Sequence, residues 1–210
     1  MNWCGLSSFL SHASELGEIP VKGSQTTIRK AQLQDVKKLA EVLTQSFHPH
    51  SGRLSVLQPL LQLSVSEDLR SRLRTAAPHY CCLVAIEIMP TVTGEPEKVI
   101  GTIELTLKTG LNTHYPYISN LAVLQSHRRQ GVARHLLLKC EQIAWEWGYK
   151  TLNLHVLDNN DAAKQLYLAS GYQLLENELS WQNWLFQSPR RLLLQKTLTI
   201  HEGETCDVRP

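Results

Sequence analysis

The sequence's most specific chemistry lies in Arg128-Arg129-Gln130-Gly131-Val132-Ala133, which follows the apolar run Leu121-Ala122-Val123 and leads through Arg134 into a long segment of helical periodicity. A strand that passes through a glycine turn into a helix points several backbone N–H groups at one spot, where the positive end of the helix dipole also lies. Gly131 lets the backbone come close to a ligand, the amides of residues 129–134 can donate to it, and Arg128, Arg129 and Arg134 add positive charge. This is the chemistry of anion binding, and a pyrophosphate fits it. Tyrosine, histidine and glutamate side chains elsewhere could move protons, but taken singly a strand tyrosine is ordinarily packing, a strand histidine structural and a glutamate on a polar face solvated.

The elements that must position them can be read from periodicity. A short strand at Thr26–Arg29 precedes a helix whose Val36, Leu39, Ala40, Leu43 and Phe47 share one face. Glu67–Arg74 reads as a second, solvated helix. Tyr80–Ile86 and Val99–Leu107 form a hairpin, with Ile103, Leu105 and Leu107 alternating against Thr102, Glu104 and Thr106. Tyr117–Leu124 is a strand, and Val132, Leu136, Cys140, Ile143 and Trp147 stripe the next helix, which Gly148 stops. Thr151–Leu157 follows, then Asn159 or Asn160 caps a helix through Ala163, Leu166 and Tyr167 to Gly171. Tyr172–Leu179 and Arg190–Leu198 are the last strands, with Trp181–Pro189 as an irregular connection between them. The order β-α-α-β-β-β-α-β-α-β-β predicts an α+β fold around a mixed sheet.

Composition bounds the rest. The 210 residues suit one domain, expected at 25–200 between an N-terminal extension (1–24) and a C-terminal tail (201–210). With 21 basic and 19 acidic side chains the formal charge is only +2, so nothing global argues for nucleic acid or an acidic membrane. Five cysteines without a C-x-x-C pair point to a reducing compartment. No long apolar run and no basic-then-apolar leader predicts a soluble, non-secreted protein without membrane insertion.

At this point the sequence resembles the GNAT superfamily of acyl-CoA N-acyltransferases. The family's acetyl-CoA motif stands here as Arg128-Arg-Gln-Gly131-Val-Ala133 behind Leu121-Ala-Val123, and its companion motif as Asn160, Ala163, Tyr167 and Gly171-Tyr172. Both motifs in order and on the expected elements make the resemblance specific, over about residues 26–198. It implies a largely antiparallel mixed sheet flanked by helices and splayed between the fourth and fifth strands. It implies acetyl-CoA as co-substrate, with no metal, bound by Leu121 to Val123, Arg128 to Arg134, Asn159, Asn160, Ala163 and Tyr167.

Tyr167 matches the family's general acid at the departing thiolate. Where many members carry an acidic base, this sequence has Tyr117, which looks like the N-terminal acetyltransferases in which a strand tyrosine and a histidine, here His155, hold a proton-relaying water. Glu104 is the second candidate base. The wording Tyr115-Pro-Tyr-Ile-Ser-Asn-Leu-Ala-Val123 with Pro189-Arg-Arg-Leu-Leu-Leu194 is similar to plastid-type acetyltransferases of plants and their cyanobacterial relatives. That likeness implies protein or peptide substrates, N-terminal α-amines with internal lysines beside them, and the cytosol of a photosynthetic bacterium or the plastid stroma. Two other readings stand beside it: a small-molecule amine acetyltransferase, and a non-catalytic acyl-CoA-binding subunit of a larger complex, joined through the N-terminal extension.

Overall fold

A computed structural model describes residues 26–47, 58–75, 77–88, 97–110, 113–177 and 189–199. The N-terminal extension, the Gly94-Glu-Pro turn, the C-terminal tail and the Trp181–Phe186 aromatics lie outside the described residues. The element order is β1 (Thr26–Lys30), α1 (Val36–Phe47), α2 (Gln58–Thr75), β2 (Tyr80–Ile88), β3 (Glu97–Thr109), β4 (His114–Val123), α3 (Val132–Glu146), β5 (Thr151–Leu157), α4 (Asp161–Ala169), β6 (Gln173–Asn177) and β7 (Arg191–Thr197). The strands form one seven-stranded sheet, ordered β1-β2-β3-β4-β5-β7-β6. Pairing is antiparallel at β1/β2, β5/β7 and β6/β7, whereas β4 and β5 run parallel. This is the α+β fold around a mixed sheet that the element order predicts, largely antiparallel as the resemblance implies. The helix expected at Glu67–Arg74 is longer than its charged segment, because it begins at Gln58 and sinks Leu69 completely.

The chain divides into two compact units. The first comprises residues 1–77, 81–103 and 120–136. Its core is the apolar face of α1, with Val36, Leu39, Ala40 and Leu43 at 5% exposure or less, and the near-continuous apolar run of β2 from Cys81 to Ile86. Full burial of each large side chain there contributes about 1.5–3 kcal/mol. Asp35 braces the entry to α1, accepting from both Arg29 guanidinium nitrogens (2.6 and 3.0 Å) and from the Gln32 backbone N–H (2.7 Å). At Gly101 a Cβ would lie 3.1 Å from the Ala122 carbonyl oxygen and 3.3 Å from Val132. Glycine there lets β3, β4 and the start of α3 close on one another.

The second unit comprises residues 78–80, 104–119 and 137–210. Leu137, Cys140, Ile143 and Ala144 of α3 are buried in it, as are Leu152, Leu154 and Val156 of β5. Trp147, the last residue of the expected stripe, stacks edge-on against His79. Strand β5 pairs β7 along its whole length, from Thr151↔Thr197 to Leu157↔Arg191. By contrast, β4 pairs β5 at Tyr117↔Asn153 and Ile118↔Leu154.

Candidate active site

In the first unit the basic glycine turn is built as a backbone cradle. Arg129 (φ 65°) and Gly131 (φ 86°) both adopt the left-handed region, which reverses the direction of successive N–H groups. Gly131 caps α3, its carbonyl accepting from the His135 N–H at 3.1 Å. The first amides of a helix have no partner within it, so those of Val132 to Arg134 are the donors such a turn presents. The turn is braced from behind. Arg128 Nε donates to the Val123 carbonyl (3.0 Å) and Gln130 donates to the Ser126 carbonyl (3.2 Å). Buried His127 bridges Ser126 Oγ (2.8 Å) and Glu87 (3.1 Å).

The fit of these residues to a diphosphate has an independent sign. His135 Nδ1 is buried without a hydrogen-bond partner among the described residues, and it lies 3.6 Å from where a Cβ on Gly131 would stand. Arg129 and Arg134 are exposed, while Ala122 and Val123 are buried and Leu121 is half-buried. Arg128 therefore divides its work, holding the strand end while adding charge to the turn.

The second unit holds the proton-transfer candidates. Tyr117 Oη lies 2.9 Å from His155 Nδ1, with ring centroids 5.6 Å apart. The strand register explains the meeting. Tyr117 is opposite Asn153, and His155 stands two residues further on the same face of β5. Asn153, itself buried, donates to the Pro116 carbonyl (3.4 Å) and accepts from Gln195 (2.9 Å), fixing the rung on which Tyr117 sits. Burial pushes the Tyr117 phenol up, and the Arg191 guanidinium beside it pulls back. Lys108 Nζ caps the Tyr117 ring at 3.3 Å from its centroid.

Tyr167 is 7% exposed and packs edge-on against Tyr172. Burial, with a smaller contribution from Tyr117, pushes its hydroxyl up to about 12. Its helix α4 is capped by Asn160, whose side chain accepts from the Ala163 N–H at 3.2 Å, whereas Asn159 lies exposed in the turn before it. Glu104 is fully buried and receives the Tyr80 hydroxyl at 3.3 Å. Of the four proton-transfer candidates, Tyr117 and His155 are thus in contact, and Glu104 pairs with Tyr80 instead.

Lys108, Arg191, Asn153 and Tyr80 were not evident as site residues from sequence. Continuing the Thr102, Glu104, Thr106 alternation by one step reaches Lys108, and that was the available signal. Arg191 becomes visible only through the β5/β7 register. Among the described residues no cluster of three or more His, Cys, Asp or Glu could hold a metal, and no helix is long and apolar enough to cross a membrane.

The chain is 29% identical over 172 residues to GCN5-related N-acetyltransferase 10, chloroplastic, of Arabidopsis thaliana, covering 77% of this chain and 67% of the relative. It is 32% identical over 133 residues to the thialysine N-epsilon-acetyltransferase of Bos taurus, covering 60% and 75% respectively. The PaiA N-acetyltransferase of Thermoplasma acidophilum, solved with coenzyme A, shares the fold at a TM-score of 0.61 and 17% identity, over 82% of this chain and 98% of that one. The model of the acetyltransferase (GNAT) family matches residues 51–172, more than half the chain and the whole of the glycine turn and α4. The chain belongs to the GNAT family, and is an N-acetyltransferase that takes its acetyl group from acetyl-CoA.

Proposed function

We propose that this enzyme acetylates the α-amines of protein N-termini, with lysine side chains as a second class of acceptor. The observation that carries the reading is the Tyr117–His155 hydrogen bond of 2.9 Å. An amine must lose a proton before or as it attacks a thioester. A phenol and an imidazole in contact can hold a water and pass that proton along. An α-amine titrates near about 8 and a lysine near about 10.4, so a mild relay of this kind serves the α-amine better.

Acetyl-CoA supplies the acetyl group as a thioester. The amides of Val132 to Arg134, with Arg129, Arg134 and His135, hold its diphosphate. Tyr117 and His155 take the amine's proton, and Glu104, tied to Tyr80, is the second candidate base. Tyr167 stays protonated across the working pH range, its hydroxyl being pushed up to about 12. A thiol titrates near about 8.5, so complete proton transfer from Tyr167 to the departing sulfur runs uphill. In this reading Tyr167 stabilises the developing thiolate chiefly by donating a hydrogen bond.

Incubation with acetyl-CoA and a library of free-N-terminus peptides, followed by mass spectrometry, is the direct test. Acetylated α-amines support the reading, and no modified peptide at saturating acetyl-CoA overturns it. The bovine relative, named for action on thialysine, favours a free amino acid as the competing acceptor. A higher kcat/KM for such a metabolite than for any peptide would establish that instead. The chloroplastic relative supports the plastid stroma, beside the cytosol of a photosynthetic bacterium, as the place of action.

A further inference from the structure

In the first unit, the segment that leads from β4 into the glycine turn is held by side chains, and one of them reaches well outside the segment. Most of its contacts are near at hand. The Leu124 N–H donates to the Ile100 carbonyl on β3 (2.9 Å), the His127 N–H to the Leu124 carbonyl (2.9 Å), and Arg128 Nε to the Val123 carbonyl (3.0 Å). His127 Nε2, by contrast, meets the Glu87 carboxylate on β2 at 3.1 Å. In the sheet order β2 lies beyond β3 from β4, so this contact bridges two strand spacings, about 10 Å. The His127 ring is buried, at 9% exposure, with both nitrogens engaged. A carboxylate only accepts, so Nε2 carries a hydrogen, and a neutral ring then accepts the Ser126 hydroxyl at Nδ1 (2.8 Å). Ser126 is thereby held at both ends, since its carbonyl receives the Gln130 side chain at 3.2 Å. Glu87, His127, Ser126 and Gln130 form one hydrogen-bonded chain from the sheet to the turn.

That chain flanks Arg129, a non-glycine residue at φ 65°. Such a conformation is strained and persists only where its surroundings over-determine it. The left-handed steps at Arg129 and Gly131 are what gather successive N–H groups around an anion, so losing them disperses the donors. A hydrogen bond to a carboxylate is about twice as strong as one between neutral groups, which makes Glu87–His127 the firmest link in the chain. We infer that His127 and Glu87 are positioning residues for acetyl-CoA. Without touching the cofactor they hold the turn in its binding conformation, and so set the affinity for acetyl-CoA rather than the rate of the chemical step.

The inference rests on the reading of the turn as the holder of the diphosphate, and its test separates the two. Acetyl-CoA affinity is measured by calorimetry, and kcat and KM by steady-state kinetics, for the wild type, His127→Leu, Glu87→Ala, the double variant and His127→Gln, with melting temperatures alongside. His127→Leu and Glu87→Ala should each weaken acetyl-CoA binding by about 5- to 10-fold, the scale of one lost charge-assisted hydrogen bond. The KM for acetyl-CoA should rise to match, while kcat at saturating acetyl-CoA stays within about 2-fold. The double variant should be little worse than either single one, because the two act as a pair. His127→Gln, whose amide can still donate to Glu87, should recover most of the affinity.

A lower melting temperature with unchanged affinity shows a purely structural contact and overturns the inference, as does a fall in kcat with affinity intact. The Glu87 side chain is 23% exposed, so Glu87→Ala gives the answer even where His127→Leu does not fold. Arg129→Gln and Gly131→Val disturb the turn directly. If these two weaken acetyl-CoA binding and the His127 and Glu87 variants do not, the diphosphate reading stands and the positioning inference falls. If binding is indifferent to all four substitutions, both fall.

Discussion

On the proposed reading, the glycine turn at Arg128 to Arg134 and the polar face around Tyr117 solve two recognition problems with different materials. The turn works through main-chain amides, held in place by two positive φ angles at Arg129 and Gly131 and braced by Arg128, Gln130 and His127. The face around Tyr117 works through side chains from four strands, brought together by register and held by Asn153. A backbone site tolerates changes of side chain and fails when the backbone changes, whereas a side-chain site behaves in the opposite way.

The sharpest way to break the contrast is to remove side chains from each region. Tyr117→Phe and His155→Ala each lower kcat by about 10²–10³, the range for losing a positioned acid–base group. The double variant is little worse than either single one, because the two act as a unit. The acetyl-CoA dissociation constant stays put. Steady-state kinetics with calorimetry reads both quantities, and full additivity would show that the pair does not act together. Glu104→Gln costs turnover less than His155→Ala if Glu104 is only the runner-up base, and the reverse order would hand it the role.

A backbone change in the turn comes next. Gly131→Val forces a β-branched residue to φ 86°, at a cost of about 1–3 kcal/mol. Either the turn rearranges or the fold carries the strain. The expected outcome is about 10- to 100-fold weaker acetyl-CoA binding by calorimetry. Arg129→Gln, which keeps the backbone, costs less than this. If the order were reversed, charge rather than amides would dominate the turn.

This contrast also explains what the sequence revealed. The turn was legible because a backbone site is local: a strand, a glycine and a helix start within a dozen residues. The order of elements and the stripes of α1 and α3 were legible for the same reason, since periodicity is a local property. Tyr117 with His155 could be suggested only through resemblance, because a contact between residues 117 and 155 depends on how two strands register. Lys108 left only the continued alternation of Thr102, Glu104 and Thr106, and Arg191 left no local trace at all. The Gln58 start of α2 was missed because its weakly amphipathic first turns, with Leu60 and Leu63 exposed, lack a clean apolar stripe.

Tyr167 sharpens the contrast through pH. Its hydroxyl titrates at about 12 in the fold against about 10 in the unfolded chain. A raised folded value means that the unfolded chain releases the proton first as pH rises. Stability is complete below about pH 10 and is lost as pH climbs through about 12, by about 3 kcal/mol in all for this group, of which about 1 kcal/mol is lost by pH 11. Tyr172, also pushed up by burial and then by Glu141, adds to the same trend. Urea midpoints at pH 9 and pH 11 should differ less in Tyr167→Phe than in the wild type. An unchanged difference would mean that Tyr167 is hydrated in the folded protein.

The smallest effect tests the cap of α4, where the two materials meet in one residue. Asn160 belongs to the motif that the resemblance assigns to acetyl-CoA, yet its side-chain oxygen is already occupied by the Ala163 N–H at 3.2 Å. As a cap it contributes about 1 kcal/mol to the helix that carries Tyr167. Asn160→Ala should therefore lower the melting temperature by about 2–4 °C, and Asn160→Asp should restore it, since aspartate caps as well as asparagine. If Asn160 contacts acetyl-CoA, the carboxylate of Asn160→Asp would repel the ligand's diphosphate, whereas Asn160→Ala would not. If Asn160 serves only the helix, both variants bind acetyl-CoA like the wild type. If it also faces the ligand, Asn160→Asp keeps the melting temperature and loses affinity, which separates the cap from the contact in one pair of measurements.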